Sequence, residues 1–286
     1  MDPINEFHTQ QSRRAFLERG TLGLGGIALG SLLNAAPART DRNAIGGMNG
    51  LPHFTPKVKR VIYLFQSGGP SQMDMFDYKP ALAKRFGEEV PESIYPAERK
   101  TTMTSGQKSF PCAPTGLKFA QHGQAGTWLS APLKHLAKQI DDVCVIKSMF
   151  TEAINHDPAA TLFQTGSVIP GRPSMGAWVS YGLGSENANL PAFVAMTSNG
   201  TAKQGQPLYD RLWGAGFLPG RFQGVKFRGQ GDPILDLYNP SGVTREQRRR
   251  MLDALEKLNQ DQANRFNDPA IATRIAQYEL AFRMQM

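Results

Sequence analysis

The chain has little cysteine, since its 286 residues include only Cys112 and Cys144. Cys112 lies in a proline-rich segment, and Cys144 lies in an apolar run, where a cysteine usually acts as a small hydrophobic residue. An exported protein can pair its cysteines, but neither position favours pairing. We therefore expect no disulfide bond, in a chain long enough to build a core of its own.

Long hydrophobic runs are also missing. The apolar stretch Thr21–Ala36 is too short and too rich in glycine to be a good membrane span, which needs about 20 mostly apolar residues. It follows Arg13–Arg14 and ends at Ala36–Ala38, a small-x-small cleavage pattern, and this layout is typical of a twin-arginine export signal. We predict that residues 1–38 are a signal peptide for the twin-arginine translocase and that residues 39–286 are periplasmic or otherwise extracytoplasmic. An uncleaved N-terminal anchor is the less favoured alternative.

A concentrated basic surface is a third absence. The formal net charge is +8, but the basic residues are scattered apart from Arg248–Arg250. Nucleic-acid-binding proteins usually carry clustered basic residues or a recognisable motif, so we expect no nucleic-acid partner. The diffuse positive field mildly favours anionic substrates or surfaces, although solubility is the simpler explanation.

Glycine and proline are plentiful, with 29 and 20 residues, so long loops should separate the regular elements. Three short apolar runs predict buried strands, at Arg60–Phe65, Asp142–Met149 and Pro191–Thr197. Because apolar and polar residues do not alternate in them, they suit a parallel sheet that is covered on both faces. Together with the helical patterns between them, they predict an α/β fold with a mostly parallel sheet and helices on both faces.

Five segments show helical periodicity or helix-capping residues, at 127–140, 157–166, 173–184, 244–260 and 268–286. The capping residues are Asp157, Ser174, Thr244 with Gln247, and Asp268. Two apolar stripes are predicted to be buried, one of Met251, Leu255 and Leu258 and one of Ile271, Ile275, Tyr278 and Phe282. The loop-rich, aromatic segment between Gly200 and the last two helices predicts an insertion over the sheet edge.

The candidate site begins where the first predicted strand ends. Ser67 and Ser71 flank a Gly-Gly turn, and Asp74 and Asp77 follow three residues apart. Ligands of open α/β sheets bind beyond the carboxyl ends of the strands, which is where this loop falls. The hydroxyls are candidates for substrate binding, and the carboxylates are candidate ligands of a divalent metal. The alternatives are a simple turn and a helix cap formed by Asp77.

A second loop follows the second predicted strand. Asn155 and His156 stand there at the start of a predicted helix, where a phosphate or sulfate group binds favourably. They are candidate catalytic residues that contact an oxyanion, and His156 is also a candidate metal ligand through a neutral nitrogen. A purely structural role is the alternative, with Asp157 capping its own helix. Two such loops at the same end of one sheet favour a site.

The motifs "GGPSQMDMFDYKP", "NHDPAATLFQTGSVIPGRPSMGAWVSYGLG", "LPAFVAM" and "GFLPGRFQGV" together resemble the domain-of-unknown-function 1501 family of exported bacterial proteins. That family looks like part of the alkaline phosphatase and sulfatase superfamily, so the resemblance implies an alkaline-phosphatase-like fold that hydrolyses sulfate or phosphate esters. It implies a divalent metal cofactor (zinc, calcium or magnesium) at Asp74 and Asp77, with Asn155 and His156 against the substrate. The implied partner is an anionic small molecule or a sulfated polysaccharide.

The sequence also departs from that pattern. The segment "HDPAATLFQTG" has no Cys or Ser near its start, where sulfatases of the superfamily carry the nucleophile. "CAPTG" has Gly116 in place of the arginine of the sulfatase C/S-x-P-x-R signature, so we interpret it as a turn. The "GEFGRTP"-like strand end and the Asp-His-His cluster of the family's second half are missing. We therefore expect an N-terminal fragment with an incomplete C-terminal half, inactive alone. The alternative is a non-catalytic exported scaffold or glycan-binding protein.

Overall fold

The computed structural model describes residues 47–95, 104–198, 208–266 and 268–285. The predicted signal peptide, residues 1–38, lies outside the described residues. The chain divides into two compact units. Unit 1 takes its described residues from Met1–Val61, Pro170–Thr201 and Tyr209–Met286, and unit 2 takes its described residues from Ile62–Ile169 and Ala202–Leu208.

Unit 2 consists of short elements joined by shaped loops. Its elements are α1 (Gln72–Met75), α2 (Ala81–Lys84), β1 (Phe119–His122), β2 (Thr127–Ser130), two 3₁₀ helices (Ala131–Leu133 and Leu136–Asp142) and α3 (His156–Thr165). Strands β1 and β2 form an antiparallel hairpin that pairs Phe119 with Ser130 and His122 with Thr127. Leu129 and Ile140 are the buried hydrophobic residues described in this unit.

Unit 1 contains the longer helices. Its elements are α4 (Met175–Leu183), β3 (Val194–Met196), two 3₁₀ helices (Asp210–Trp213 and Gly220–Phe222), β4 (Val225–Phe227), α5 (Arg245–Phe266) and α6 (Pro269–Arg283). Strands β3 and β4 are parallel and pair Val194 with Val225. The buried hydrophobic residues described in this unit are Ala177, Leu212, Ala215, Phe222 and Leu252.

The predicted large parallel sheet is wrong. The described residues form one antiparallel and one parallel sheet, each of two strands, and not a mostly parallel sheet with helices on both faces. Of the three predicted strands, only Pro191–Thr197 contains one. The run Arg60–Phe65 is not a strand, and Ile62 and Leu64 are 84% and 86% exposed. An apolar run forms a strand only when another backbone pairs with it, and no described segment pairs with this one.

Other local predictions also need correction. The segment Asp142–Met149 is the end of a 3₁₀ helix and a loop, and Cys144 in it is exposed rather than buried. Both cysteines are free. Residues 127–140, predicted as a helix, form strand β2 and 3₁₀ turns, because Pro132 interrupts the α-helical hydrogen-bond pattern. The predicted insertion after Gly200 contributes strand β4.

The start of α4 is a tightly built junction of two glycine-containing segments. The Ser174 side chain accepts a hydrogen bond from the Ala177 N–H, which caps the helix as predicted. The Ser174 N–H donates to the Gly214 carbonyl at 3.1 Å. Gly216 has a φ of +56°, and a Cβ there would lie 2.4 Å from backbone atoms of Arg172 and Pro173. Only glycine fits this close approach without displacing the neighbouring backbone.

Helices α5 and α6 pack as a hairpin around an ion-pair network. The Arg249 guanidinium donates to both carboxylate oxygens of Glu279, at 3.0 and 2.5 Å, and to Asp253 at 2.8 Å. The same guanidinium lies 4.9 Å from the ring centroid of Phe282, so charge and ring face attract each other. The predicted capping box is confirmed, because Thr244 and Gln247 exchange hydrogen bonds at 2.8 and 3.2 Å.

The buried face of α5 differs from the predicted one. Met251 and Leu258 are 57% and 65% exposed, whereas Leu252 and Asn259 are buried. The buried stripe is therefore rotated by one residue, or about 100° around the helix. On α6, Tyr278 of the predicted stripe is exposed. Within the residues that the structure describes, no helix is both long and apolar enough to cross a membrane.

Candidate functional site

The first candidate loop folds around two glycines. Gly68 and Gly69 have φ values of +81° and +67°, a conformation that L-residues rarely adopt. The Gly69 N–H donates to the Gln66 carbonyl at 3.1 Å and closes the turn. Ser71 then adopts an extended conformation at the start of α1, and its carbonyl accepts from the Asp74 N–H at 3.2 Å. The turn and the short helix together fix where the serines and the first aspartate stand.

The two predicted metal ligands each have a different partner. Hydroxyls of Thr115 and Ser71 hydrogen-bond to the Asp74 carboxylate, and because they favour its charged form they lower its pKa. The Asp77 carboxylate lies 2.8 Å from the Lys79 ammonium. Asp77 does not cap α2, whose N-cap position is held by Pro80. Asp74 therefore ties the first loop to the segment around Thr115, while Asp77 forms a local ion pair.

The second candidate loop leads directly into α3. His156 is the first residue of the helix, two residues before the predicted start at Pro158, and Asn155 is its N-cap residue in an extended conformation. Asp157 is not the N-cap, because the helix begins one residue before it. The Asn155 side chain makes no capping hydrogen bond, and both Asn155 and His156 are exposed. The helix ends at Gly166, as predicted, with a φ of +74°.

Aromatic packing holds the approach to the first loop against α3. The ring of Phe163 on α3 stacks on Tyr63 at 6.1 Å and on Phe65 at 5.9 Å between ring centroids. Partial burial of Tyr63 raises its pKa to about 12, because the charged phenolate loses hydration there. The segment that precedes Ser67 and the helix that begins at His156 therefore pack together in unit 2.

The predicted site residues are only partly brought together. Ser71 and Asp74 share a hydrogen bond, and Asn155 and His156 are neighbours at the start of α3. Among the described residues, no hydrogen bond or ion pair links these two groups to each other. Ser67 lies exposed in the glycine turn. The structure thus places both loops in one unit without joining their polar groups.

The described residues do not fit a complete divalent-metal site. Such a site needs several carboxylate, histidine or cysteine ligands that converge on one point. Within the described ranges, no group of three or more such residues converges. Asp74 is bonded to hydroxyl groups, and Asp77 is paired with a lysine.

Sequence reasoning missed two residues of this region, Thr115 and Lys79. Thr115 lies in "CAPTG", which we interpreted as a turn, and its hydroxyl holds Asp74 from more than thirty residues away. No local pattern signals such a contact. Lys79 was within reach of sequence reasoning, because a lysine two residues after an aspartate in a loop can pair with it.

Taken together, the fold and the site define an α/β protein with small sheets and two polar loops in one unit. The chain belongs to the family described as protein of unknown function (DUF1501), whose model matches residues 58–286. This confirms the family resemblance of the motifs. No curated protein and no solved structure matches the chain.

Proposed function

We propose that this protein is an exported hydrolase of sulfate or phosphate esters. The observation that carries the proposal is the start of α3, where Asn155 and His156 are exposed and the N-cap side chain is not used for capping. The N-terminal end of a helix carries a partial positive charge and unpaired N–H groups, which favour a bound anion. A sulfate or phosphate group is the matching substrate chemistry, whether on a small molecule or on a polysaccharide.

In this proposal, each group of residues has a defined role. Asn155 donates a hydrogen bond to an ester oxygen, and His156 contacts the same group and gives a proton to the departing alkoxide. Water adds to the sulfur or phosphorus atom as the bond to that alkoxide breaks, so that the products are an alcohol and the free anion. Ser67 donates a hydrogen bond from its hydroxyl to the substrate, whereas the Ser71 hydroxyl, which is donated to Asp74, contacts the substrate only as an acceptor.

Metal dependence stays a prediction from the family resemblance. A bound zinc, calcium or magnesium ion would neutralise charge on the ester oxygens. The predicted carboxylate ligands are Asp74 and Asp77, and a complete site would require further ligands besides them. Turnover that survives prolonged dialysis against EDTA would contradict the prediction, and restoration by one added metal would support it.

The proposal is tested on the full natural chain with 4-nitrophenyl sulfate and 4-nitrophenyl phosphate. We expect His156→Ala to lower kcat by about 100-fold or more, which is the usual contribution of a proton-transferring side chain. His53→Ala is the matched control, because His53 is an exposed histidine of unit 1. Asn155→Ala should lower turnover at unchanged thermal stability, since its side chain makes no capping bond. Equal turnover in His156→Ala and the control would reject the assigned role.

A non-catalytic glycan-binding or scaffold protein is the second candidate. It is favoured by the lack of a Cys or Ser near the start of α3, where sulfatases of the superfamily carry the nucleophile. Binding of a sulfated glycan without release of sulfate during long incubation would support it over the hydrolase.

We also propose export by the twin-arginine route. The support is the sequence pattern at Arg13–Arg14, which lies outside the described residues. Replacing both arginines with lysine should leave the precursor in the cytoplasmic fraction, and unchanged periplasmic recovery would contradict the proposal.

A further inference from the structure

Helix α4 of unit 1 carries an exposed apolar face that the proposed function does not use. Met175, Trp178 and Val179 lie on one side of the helix, at the spacing i, i+3 and i+4. All three are more than 40% exposed. Phe217 is 61% exposed, and its ring meets that of Trp178 edge-on at 5.7 Å between centroids. These four residues are called the α4 face below, and exposed apolar patches of this kind mark surfaces that contact another segment.

Helix α4 packs the opposite way round from an ordinary surface helix. Its buried residues are the small Ala177 and Ser180, whereas its largest side chain, Trp178, points outwards. A surface helix normally turns its large apolar side chains towards the core. The capping bond from the Ala177 N–H to Ser174 and the complete burial of Ala177 fix the rotation of the helix. The α4 face therefore stays outside unless another segment covers it.

The first described residues lie beside the end of this helix. The Met48 N–H donates to the Gly182 carbonyl at 3.0 Å, and a Cβ at Gly47 would lie 2.8 Å from the carbonyl carbon of Leu183. The Cδ1 atom of Leu51 lies 3.4 Å from where a Cβ of Gly182 would stand. Gly182 continues the α4 face by one turn, at the spacing i+7 from its first residue. The segment that precedes Gly47 therefore leads away from one end of the α4 face.

Among the segments outside the described ranges, one matches this face in chemistry and in reach. Residues 96–103 carry three charged side chains, and residues 199–207 are polar with one lysine, so both would bring costly charge onto an apolar surface. The run Thr21–Ala36 has no charged residue and is rich in leucine, alanine and glycine. Residues 37–46, which join it to Gly47, can span up to about 33–36 Å. The α4 face extends only about 14 Å back from the end of the helix.

We propose that the run Thr21–Ala36 packs on the α4 face while it is attached to the chain, so that removal of residues 1–38 uncovers this face. The contact is apolar: leucine side chains of the run bury against Trp178 and Phe217. The glycines of the run allow its backbone to approach the rings closely. This inference goes beyond the proposed function, and the contact itself requires neither ester hydrolysis nor a particular export route.

The test is photo-cross-linking in the full chain that retains residues 1–38. The photoreactive residue 4-benzoylphenylalanine replaces Val179 in one variant and Gln260 in the control. Gln260 is an exposed residue of α5 in the same unit and is not part of the α4 face. Ultraviolet irradiation should link position 179 to a peptide within residues 21–36, which mass spectrometry identifies. The yield should exceed that from position 260 by about tenfold or more, a ratio that burial of a single leucine side chain supports.

A second pair of variants tests whether the contact is apolar. Leu32→Asp places a charge within the run and should lower the cross-linking yield at position 179 by about tenfold. Asn43→Asp is the matched control, because it adds the same charge outside the run, and it should leave the yield unchanged. Both substitutions lie outside the described residues, so neither removes a contact that holds unit 1 together.

Each other outcome overturns the inference. Equal yields from positions 179 and 260, or links that map outside residues 21–36, reject the contact. Links between two copies of the chain, which fade on dilution, assign the α4 face to a dimer contact and also reject it. An unchanged yield in Leu32→Asp excludes apolar packing. None of these measurements depends on turnover, so the proposed function stands or falls separately.

Discussion

Replacing Gly216 with alanine is the sharpest test of how unit 1 is built. The residue has a φ of +56°, and its new Cβ would lie 2.4 Å from the carbonyl carbon of Arg172 and from the nitrogen of Pro173. These are backbone atoms, so no side-chain rotation relieves the overlap. Either the backbone at Arg172 and Pro173 or the Gly216 turn must therefore shift.

The cost has two separable parts. Placing an L-residue in the left-handed region costs about 1–2 kcal/mol. Forcing a methyl group into a closely packed junction costs about a further 1–3 kcal/mol. Gly242→Ala is the matched control, because Gly242 has a φ of +85° but nothing lies within 4 Å of its new Cβ. We expect losses of about 2–5 kcal/mol for Gly216→Ala and about 1–2 kcal/mol for Gly242→Ala.

The measurement is urea unfolding followed by far-UV circular dichroism, which reports the helices of unit 1. Both variants should keep the slope of the wild type, so that the shift in midpoint reports stability. The difference between the two losses of unfolding free energy gives the cost of the overlap with Arg172 and Pro173. If Gly216→Ala and Gly242→Ala lost equal free energy of unfolding, the close packing at Gly216 would be refuted. Both variants place alanine at a positive φ, but only the Cβ at Gly216 would overlap neighbouring backbone atoms.

Two further predictions concern ionised groups. Arg249 donates hydrogen bonds to the Glu279 carboxylate and lowers its pKa. The ion pair therefore stabilises the fold fully at pH values above about 4.3, the pKa of Glu279 in the unfolded chain. This contribution is lost as the pH falls through the lower pKa of Glu279 in the folded protein. Glu279→Gln should therefore lower the free energy of unfolding by about 1 kcal/mol or less at pH 7, because both side chains of the pair are partly exposed. Well below pH 4 the substitution should cost nothing. An equal loss at both pH values would contradict the ion pair. Thr115→Val removes a hydroxyl donor, so NMR titration should show the pKa of Asp74 rising towards its ordinary value, and an unchanged pKa would exclude the contact.

Helix ends were largely predictable because capping is local. Asp268 accepts from the Ala270 N–H at 2.9 Å, and Ser174 and the pair of Thr244 and Gln247 cap their helices as expected. Each contact spans three residues or fewer, so spacing alone reveals it. The exception is α3, where Pro158 suggested a start two residues later than the observed one.

The sequence could predict which residues belong to the candidate loops, but it could not predict which distant residues contact them. The position of His156 at a helix start followed from the glycine, proline and aspartate around it. The hydroxyl that holds Asp74 comes from Thr115, and the ring that packs on Phe65 comes from Phe163. Such contacts depend on how distant segments meet, and no local spacing encodes them.

The amino-acid sequence by itself determined family membership, the capped helix starts and the glycine turns, because each depends on a residue type at a short, fixed spacing. Tertiary structure alone decided which apolar runs become strands and which face of a helix is buried. The run at Arg60–Phe65 has strong strand character, yet it forms no strand among the described residues, whereas the short run Val225–Phe227 pairs with β3. A strand exists only by pairing with another backbone, and that choice is made by the whole chain.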